Sequence, residues 1–255
     1  MSDNKEFALT GTAPMVRVIL ALLLPVAAAV ITGIIITNIA DVNNLSQQST
    51  SAVLTSSVAV VSWILGLRWY GARGLGLRGG RPLYAGIGFA ALGWVIFLVL
   101  RLFFVDILTL GSPNSARTYL YLLLFESFTT QIWTFGLLFH AVADWRGPLT
   151  AAITSGIVFG LVGSILFQEA YVGTQFSIIY LIIWGILYGV IRLRTGSLLG
   201  TVLIQSLQSF SAWVALSPYP RPNPGQLQSL YVSATIAYTI VIWRLWPKHE
   251  DDYRV

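Results

Sequence analysis

Long apolar segments follow one another along the chain and restrict what it can fold into. A membrane-spanning helix needs about 20 mostly apolar residues. The sequence contains eight segments of about that length: 15–39, 51–70, 83–105, 117–141, 149–168, 174–193, 197–216 and 228–246. They predict an all-α, polytopic transmembrane bundle of about eight spans. Seven spans would remain if 149–168 and 174–193 formed a re-entrant pair.

The composition supports lipid as the main solvent. Of 255 residues, 56% are hydrophobic and 10% are charged, whereas soluble domains have about 25% charged residues. The absence of cysteine excludes disulfides and thiolate chemistry. The excess of basic residues does not indicate nucleic-acid binding, because Lys and Arg stand singly at the ends of apolar runs, where they suit lipid headgroups. We therefore expect membrane lipids as partners and no nucleic acid.

The distribution of basic residues predicts the orientation. With a cytoplasmic N-terminus, twelve of the 15 Lys and Arg residues fall on the cytoplasmic side, and only Arg101, Arg117 and Arg221 fall near the other face. This predicts cytoplasmic tails at 1–14 and 247–255 around a helical domain at 15–246. The start of the first span resembles a signal peptide, but its apolar run is too long for one, which favours an uncleaved helix.

Glu126 stands as an acid inside an apolar stretch, in "FESFTTQ". Intramembrane polar residues usually face the bundle interior or a cavity, although hydroxyl and amide groups also join helices without any further role. Polar residues gather on three predicted spans: Ser127, Thr129, Thr130 and Gln131 on the fourth, Thr154 and Ser155 on the fifth, and Gln205, Ser206, Gln208, Ser209 and Ser211 on the seventh. They predict a shared polar interior in which Glu126 is uncharged at pH 7.

Three other features have a chemical and a structural interpretation. His140 is a weak candidate for a metal or cofactor ligand, and the alternative is an interfacial histidine bonded to backbone or water. With two histidines and no cysteine, we predict no metal site and no cofactor. "GLGLRG" at 74–79 fits a dinucleotide fingerprint, but that site needs a strand before it and a helix after it, so a cytoplasmic loop is favoured. Arg101 and Asp106 are expected to reach the interface or to pair with another helix.

The order and spacing of the segments resemble the CPBP family, the CAAX-protease and bacteriocin-processing intramembrane peptidases. The resemblance covers about 85–215 and depends most on "WRGPLTAAITSGIVFGLVG" and "IIWGILYGVIRLRTGSLLGTVLIQSLQSF". Members of that family carry E-E-x-x-x-R, F-x-x-x-H and H-x-x-x-N. The resemblance implies that a carboxylate activates water, that histidines supply acid–base contacts, and that asparagine polarises the scissile carbonyl.

This chain departs from the family pattern at most polar positions. Glu126 matches the first glutamate and Phe159 the phenylalanine. The remaining positions hold other residues: Ser127 for the second glutamate, Gln131 for arginine, Gly163 and Gln205 for the histidines, and Ser209 for asparagine. Glutamine cannot take a proton from water as histidine does, so the resemblance implies a pseudoenzyme.

The sequence thus predicts a catalytically inactive membrane scaffold, assembly factor or subunit of a larger membrane complex, with other integral membrane proteins as partners. A bacterial cytoplasmic membrane is the expected location. Two alternatives stay open, namely a divergent intramembrane endopeptidase that uses Glu126 and a carrier of lipids or small molecules.

Overall fold

The computed structural model describes residues 13–39, 47–107, 109–111, 114–167, 175–217 and 222–254. The described residues form a helical bundle with one short pair of strands. The helices are α1 (Pro14–Ile39), α2 (Gln47–Gly74), α3 (Arg81–Phe104), α4 (Ser115–Arg146), α5 (Pro148–Leu166), α6 (Gln175–Thr195), α7 (Leu199–Ser209, continued by a π-helical segment, Phe210–Ala215) and α8 (Pro224–Leu245). The strands are β1 (Thr109–Leu110) and β2 (Leu216–Ser217), which pair antiparallel. A 3₁₀ turn, Glu250–Asp252, follows α8.

Each predicted span corresponds to a helix, so the all-α membrane bundle is confirmed. Among the described residues, six helices, α1 to α6, are long and apolar enough to cross a membrane. The regular part of α7 has 11 residues, and α8 has 22 residues but presents several polar side chains to the outside. The pair α5 and α6 comprises 19 and 21 residues, so each helix is long enough to cross by itself. The N-terminal tail predicted at 1–14 lies almost entirely outside the described residues.

Glycines allow α5 and α6 to pack with their backbones in contact. A Cβ atom on Gly156 would lie 2.5 Å from the backbone nitrogen of Ile186, and one on Gly160 would lie 2.5 Å from Cα of Ile182. Gly185 and Gly189 face the same seam from α6. These are the small-xxx-small pairs that membrane helices use for close approach. The "SGIVFGL" run therefore has a packing role that accounts for its composition.

Arg101 is fully buried and joins the ends of two helices. Its guanidinium donates to the carbonyl of Val105 (Nη1, 2.6 Å), to that of Ala212 (Nε, 2.9 Å) and to that of Leu216 (Nη2, 2.5 Å). The C-terminal carbonyls of a helix have no partner within the helix and carry partial negative charge. A cation satisfies the ends of α3 and α7 together, so Arg101 contacts another helix, one of the two outcomes expected from the sequence.

Helix α4 alternates between α-helical and π-helical turns. Its π segments are Leu122–Ser127 and Ile132–Leu138, and π turns occur often at functional sites. The Thr130 hydroxyl donates to the Glu126 carbonyl at 2.8 Å, and the Thr134 hydroxyl donates to the Thr130 carbonyl at 2.6 Å. These side chains partly satisfy carbonyls in a wide turn. Glu126 thus lies on a π-helical stretch, whereas α5 and α6 are regular α-helices.

Candidate functional site

Two polar stripes face each other where α4 crosses α7. Glu126, Thr130 and Thr134 recur every four residues on α4, and Thr201, Gln205 and Ser209 recur every four residues on α7. A spacing of four places side chains on one face of a helix. All six side chains are buried, with Ser209 the most exposed at 6%. The polar interior predicted from three spans is found between two of them, α4 and α7. Ser155 on α5 is buried, but its hydroxyl has no hydrogen-bond partner among the residues that the structure describes.

Amide groups form the centre of this contact. Gln131 Nε2 donates to Gln205 Oε1 at 2.8 Å, and Gln205 Nε2 donates to the Thr130 hydroxyl at 3.2 Å. The Thr201 hydroxyl donates to Gln131 Oε1 at 2.9 Å. Gln131 and Gln205 replace an arginine and a histidine of the family pattern, so two substituted positions bond directly to each other.

Glu126 lies one helical turn from the amide pair. Its side chain is 2% exposed, and its Oε1 accepts a hydrogen bond from the Ser209 hydroxyl at 3.5 Å. Ser209 replaces the family's asparagine. The first and third motif positions therefore meet at the carboxyl group, as the resemblance implied. Ser127 is also buried, and its hydroxyl has no hydrogen-bond partner among the residues that the structure describes.

The second motif faces the same region through an aromatic side chain. A Cβ atom on Gly163 would lie 2.7 Å from Cε2 of Phe167, so the Phe167 ring occupies the space into which a histidine side chain would extend. Phe159 packs edge-to-face on Phe167, with ring centroids 5.3 Å apart. A side chain larger than glycine at 163 would collide with this ring unless the ring moved.

Phe167 and Ser209 both line a small cavity. It has a volume of about 20 Å³ and aromatic walls, to which Tyr180, Trp184 and Tyr231 also contribute. A buried water needs at least about 10–15 Å³, so the cavity is close to the size of one water molecule. This cavity, as the described residues bound it, is too small for a peptide.

Behind the cavity, a second amide organises tyrosine hydroxyls. Gln208 Nε2 donates to the Tyr180 hydroxyl at 2.9 Å, and the Tyr238 hydroxyl donates to the Gly93 carbonyl at 3.0 Å and reaches Gln208 Oε1 at 3.4 Å. Sequence reasoning assigned no role to these tyrosines. Their spacing gave no signal, because the contacts join α3, α6, α7 and α8 across long distances in the chain.

His140 lies at the other end of α4 and is held by an arginine. Arg192, which is fully buried, approaches His140 Nε2 with its Nη2 at 3.3 Å. A guanidinium nitrogen only donates, so His140 Nε2 is the acceptor in this contact. Its lone pair is therefore engaged by Arg192 rather than directed at a ligand. The imidazole also stacks on Tyr70 with centroids 5.2 Å apart. Among the described residues no group of three His, Asp or Glu side chains is arranged to hold a metal ion.

The "GLGLRG" loop packs against the same arginine. Gly76 has a φ of +83°, and a Cβ atom there would lie 2.6 Å from Cζ of Arg192. The Leu198 amide donates to the Gly76 carbonyl at 2.9 Å. The loop joins α2 to α3 without a strand before it, which is not the strand–turn–helix context of a dinucleotide site. The interpretation as a connecting loop agrees with this geometry.

The comparison with known families concerns the part of the chain that contains this site. Residues 112–211 match the family model for type II CAAX prenyl endopeptidases, Rce1-like. The match runs from just before α4 to α7 and includes every motif position from Glu126 to Ser209. The resemblance to the CPBP family is confirmed for these residues, which form about two fifths of the chain. No curated protein and no solved structure gives a significant match.

Proposed function

We propose that this multi-pass membrane protein is a non-catalytic relative of the type II CAAX endopeptidases that serves as a scaffold, assembly factor or subunit of a membrane complex. The single observation that carries the proposal is the Gln131–Gln205 hydrogen bond at 2.8 Å. It joins the two helices that provide the carboxylate and the last histidine motif in the family pattern. An amide pair neither accepts a proton from water nor carries charge at any physiological pH.

Packing supports the same conclusion. The Phe167 ring fills the space beside Gly163, and the cavity beside Ser209 holds about 20 Å³. General acid–base catalysis needs a base within hydrogen-bond reach of the water or substrate proton. Of the six polar family positions only Glu126 retains an ionisable side chain, and its Oε1 accepts from Ser209. The site has the features of a helix-joining contact.

A scaffold role for this fold makes a prediction about partners. The protein extracted in a mild nonionic detergent is expected to co-purify with another integral membrane protein at a fixed stoichiometry, which native mass spectrometry measures. Glu126→Gln should retain that stoichiometry, because the amide accepts the Ser209 hydroxyl as the carboxyl does. Recovery of the chain alone from several mild detergents, at its natural expression level, would count against the scaffold role. The proposal also places the protein in a bacterial cytoplasmic membrane with both termini inside.

One observation favours a divergent endopeptidase as the second candidate. Glu126 keeps its family position, is buried, and lies on a π-helical segment. In that case cleavage of a membrane peptide would be abolished by Glu126→Gln with expression unchanged. The two candidate functions therefore predict different outcomes for the same variant, Glu126→Gln.

A further inference from the structure

A groove separate from the polar site lies where α2 and α4 begin. Its volume is about 310 Å³, which is within the range of small-ligand sites in proteins, about 300–1,000 Å³. Its walls are almost entirely apolar and come from Ala52 on α2 and from Leu120, Leu124 and Phe125 on α4. Leu120 and Leu124 are 55% and 51% exposed, so the groove opens sideways toward the surrounding hydrocarbon rather than into the bundle.

One charge lies at the end of this groove. Arg117 lines it one helical turn before Leu120 and Tyr121, and its side chain is exposed. Of the lining residues, all of which the structure describes, only Arg117 is charged. The first turns of α2 and α4 contain no acid. No residue that lines the groove therefore provides a carboxylate to neutralise the Arg117 guanidinium.

We propose that this groove binds one anionic glycerophospholipid, with an acyl chain between α2 and α4 and the headgroup phosphate on Arg117. Contact between an acyl chain and the apolar walls of the groove removes apolar surface from water, which is favourable. A guanidinium binds phosphate oxygens through two parallel hydrogen bonds. A zwitterionic headgroup would bring its own cation toward Arg117, which favours a lipid such as phosphatidylglycerol over phosphatidylcholine.

The position of the groove connects lipid binding to the helix that carries Glu126. Leu124 and Phe125 belong to the π-helical segment Leu122–Ser127. The next residue of the same segment, Glu126, is buried in the interior. A bound acyl chain packs on the outside of this segment. Because a ligand that binds only the folded state stabilises it, the lipid is expected to raise the thermal stability of the protein. This inference is independent of whether Glu126 takes part in catalysis.

The test uses the full-length protein in a nonionic detergent, with synthetic phosphatidylglycerol or phosphatidylcholine titrated and bound lipid counted by native mass spectrometry. One phosphatidylglycerol should bind the parent more tightly than phosphatidylcholine. Arg117→Gln should weaken that binding about tenfold, in line with the loss of a charge-assisted bond. Arg146→Gln, which removes an exposed arginine at the opposite end of α4, should leave it unchanged.

A second variant tests the acyl-chain part of the site. Ala52→Leu narrows the groove and should weaken both lipids, while a water-soluble glycerol phosphate should fail to displace phosphatidylglycerol. Equal affinity for the two lipids, or an Arg117→Gln protein that binds like the parent, would show that only non-specific annular lipid is retained and would overturn the proposal. Displacement by glycerol phosphate, with no effect of Ala52→Leu, would overturn it in favour of a free-anion site.

Discussion

Replacing Gln205 with leucine tests whether the amide pair holds α4 and α7 together. Gln205→Leu removes the bond from Gln131 at 2.8 Å and the bond to Thr130 at 3.2 Å. Gln131 then keeps a buried Nε2 with no acceptor. Interhelical hydrogen bonds in membrane proteins contribute about 0.6 kcal/mol on average, and an unsatisfied buried polar group costs about 1–3 kcal/mol. We expect the free energy of unfolding to fall by about 2–3 kcal/mol.

The double variant separates the pair from its surroundings. Gln131→Leu with Gln205→Leu removes both amides, so neither leaves the other unsatisfied. The Thr201 hydroxyl loses Gln131 but still donates to the Leu198 carbonyl at 2.8 Å. The destabilisation of the double variant should therefore be smaller than the sum of the single variants, by about 1–2 kcal/mol of coupling.

Reversible unfolding in mixed micelles, followed by the fluorescence of the nine tryptophans, measures these differences. Gln228→Leu on the exposed face of α8 is the matched control and should change the stability by less than about 0.5 kcal/mol. Single variants as stable as the parent, or a double variant whose effect equals the sum, would refute the interpretation of the pair as a helix-joining contact.

Three further perturbations test other parts of the structure. Gly160→Leu should destabilise the bundle by about 3 kcal/mol through overpacking against α6, whereas Gly88→Leu, which meets nothing within 4 Å, should be tolerated in the same unfolding assay. Arg101→Met leaves three carbonyls without their donor and should cost about 3 kcal/mol; a parent-like stability would show that these carbonyls find other partners. The Asp252 carboxylate accepts hydrogen bonds from the Lys248 and His249 amides, which lowers its pKa. Its contribution to the stability of this turn is therefore present above the unfolded pKa and is lost as the pH falls through the lowered value. The protection factors of those two amides, which are the intrinsic exchange rate at each pH divided by the observed rate, should fall at acid pH in the parent but not in Asp252→Asn. Equal protection factors of the parent at acid and neutral pH would contradict the assignment.

The helices could be predicted because span length and apolar composition depend only on local sequence. The meeting of Glu126 with Ser209 followed from the family resemblance, since helical spacing alone says which face a residue occupies but not which helix lies opposite. The amide bond between Gln131 and Gln205 was expected only in general terms, as a polar network. The stripe at 201, 205 and 209 was the signal that could have located it.

Other features depend on contacts that the sequence does not encode locally. Arg101 bonds to carbonyls more than 100 residues away along the chain, so its burial could not be read from its position near a helix end. Phe167 fills the space beside Gly163 because α5 ends there and its backbone becomes extended. The π-helical turns of α4 likewise arise from a hydrogen-bond pattern that no residue preference specifies.

The most direct measurement of the central claim is a cleavage assay on a prenylated CAAX-type peptide in lipid vesicles, with an active type II CAAX endopeptidase as the positive control. The parent protein and Glu126→Gln are both expected to give no product above protein-free vesicles, while both remain folded. Product formed by the parent and abolished in Glu126→Gln would contradict the account, because it would show that Glu126 still activates water with the replaced partners.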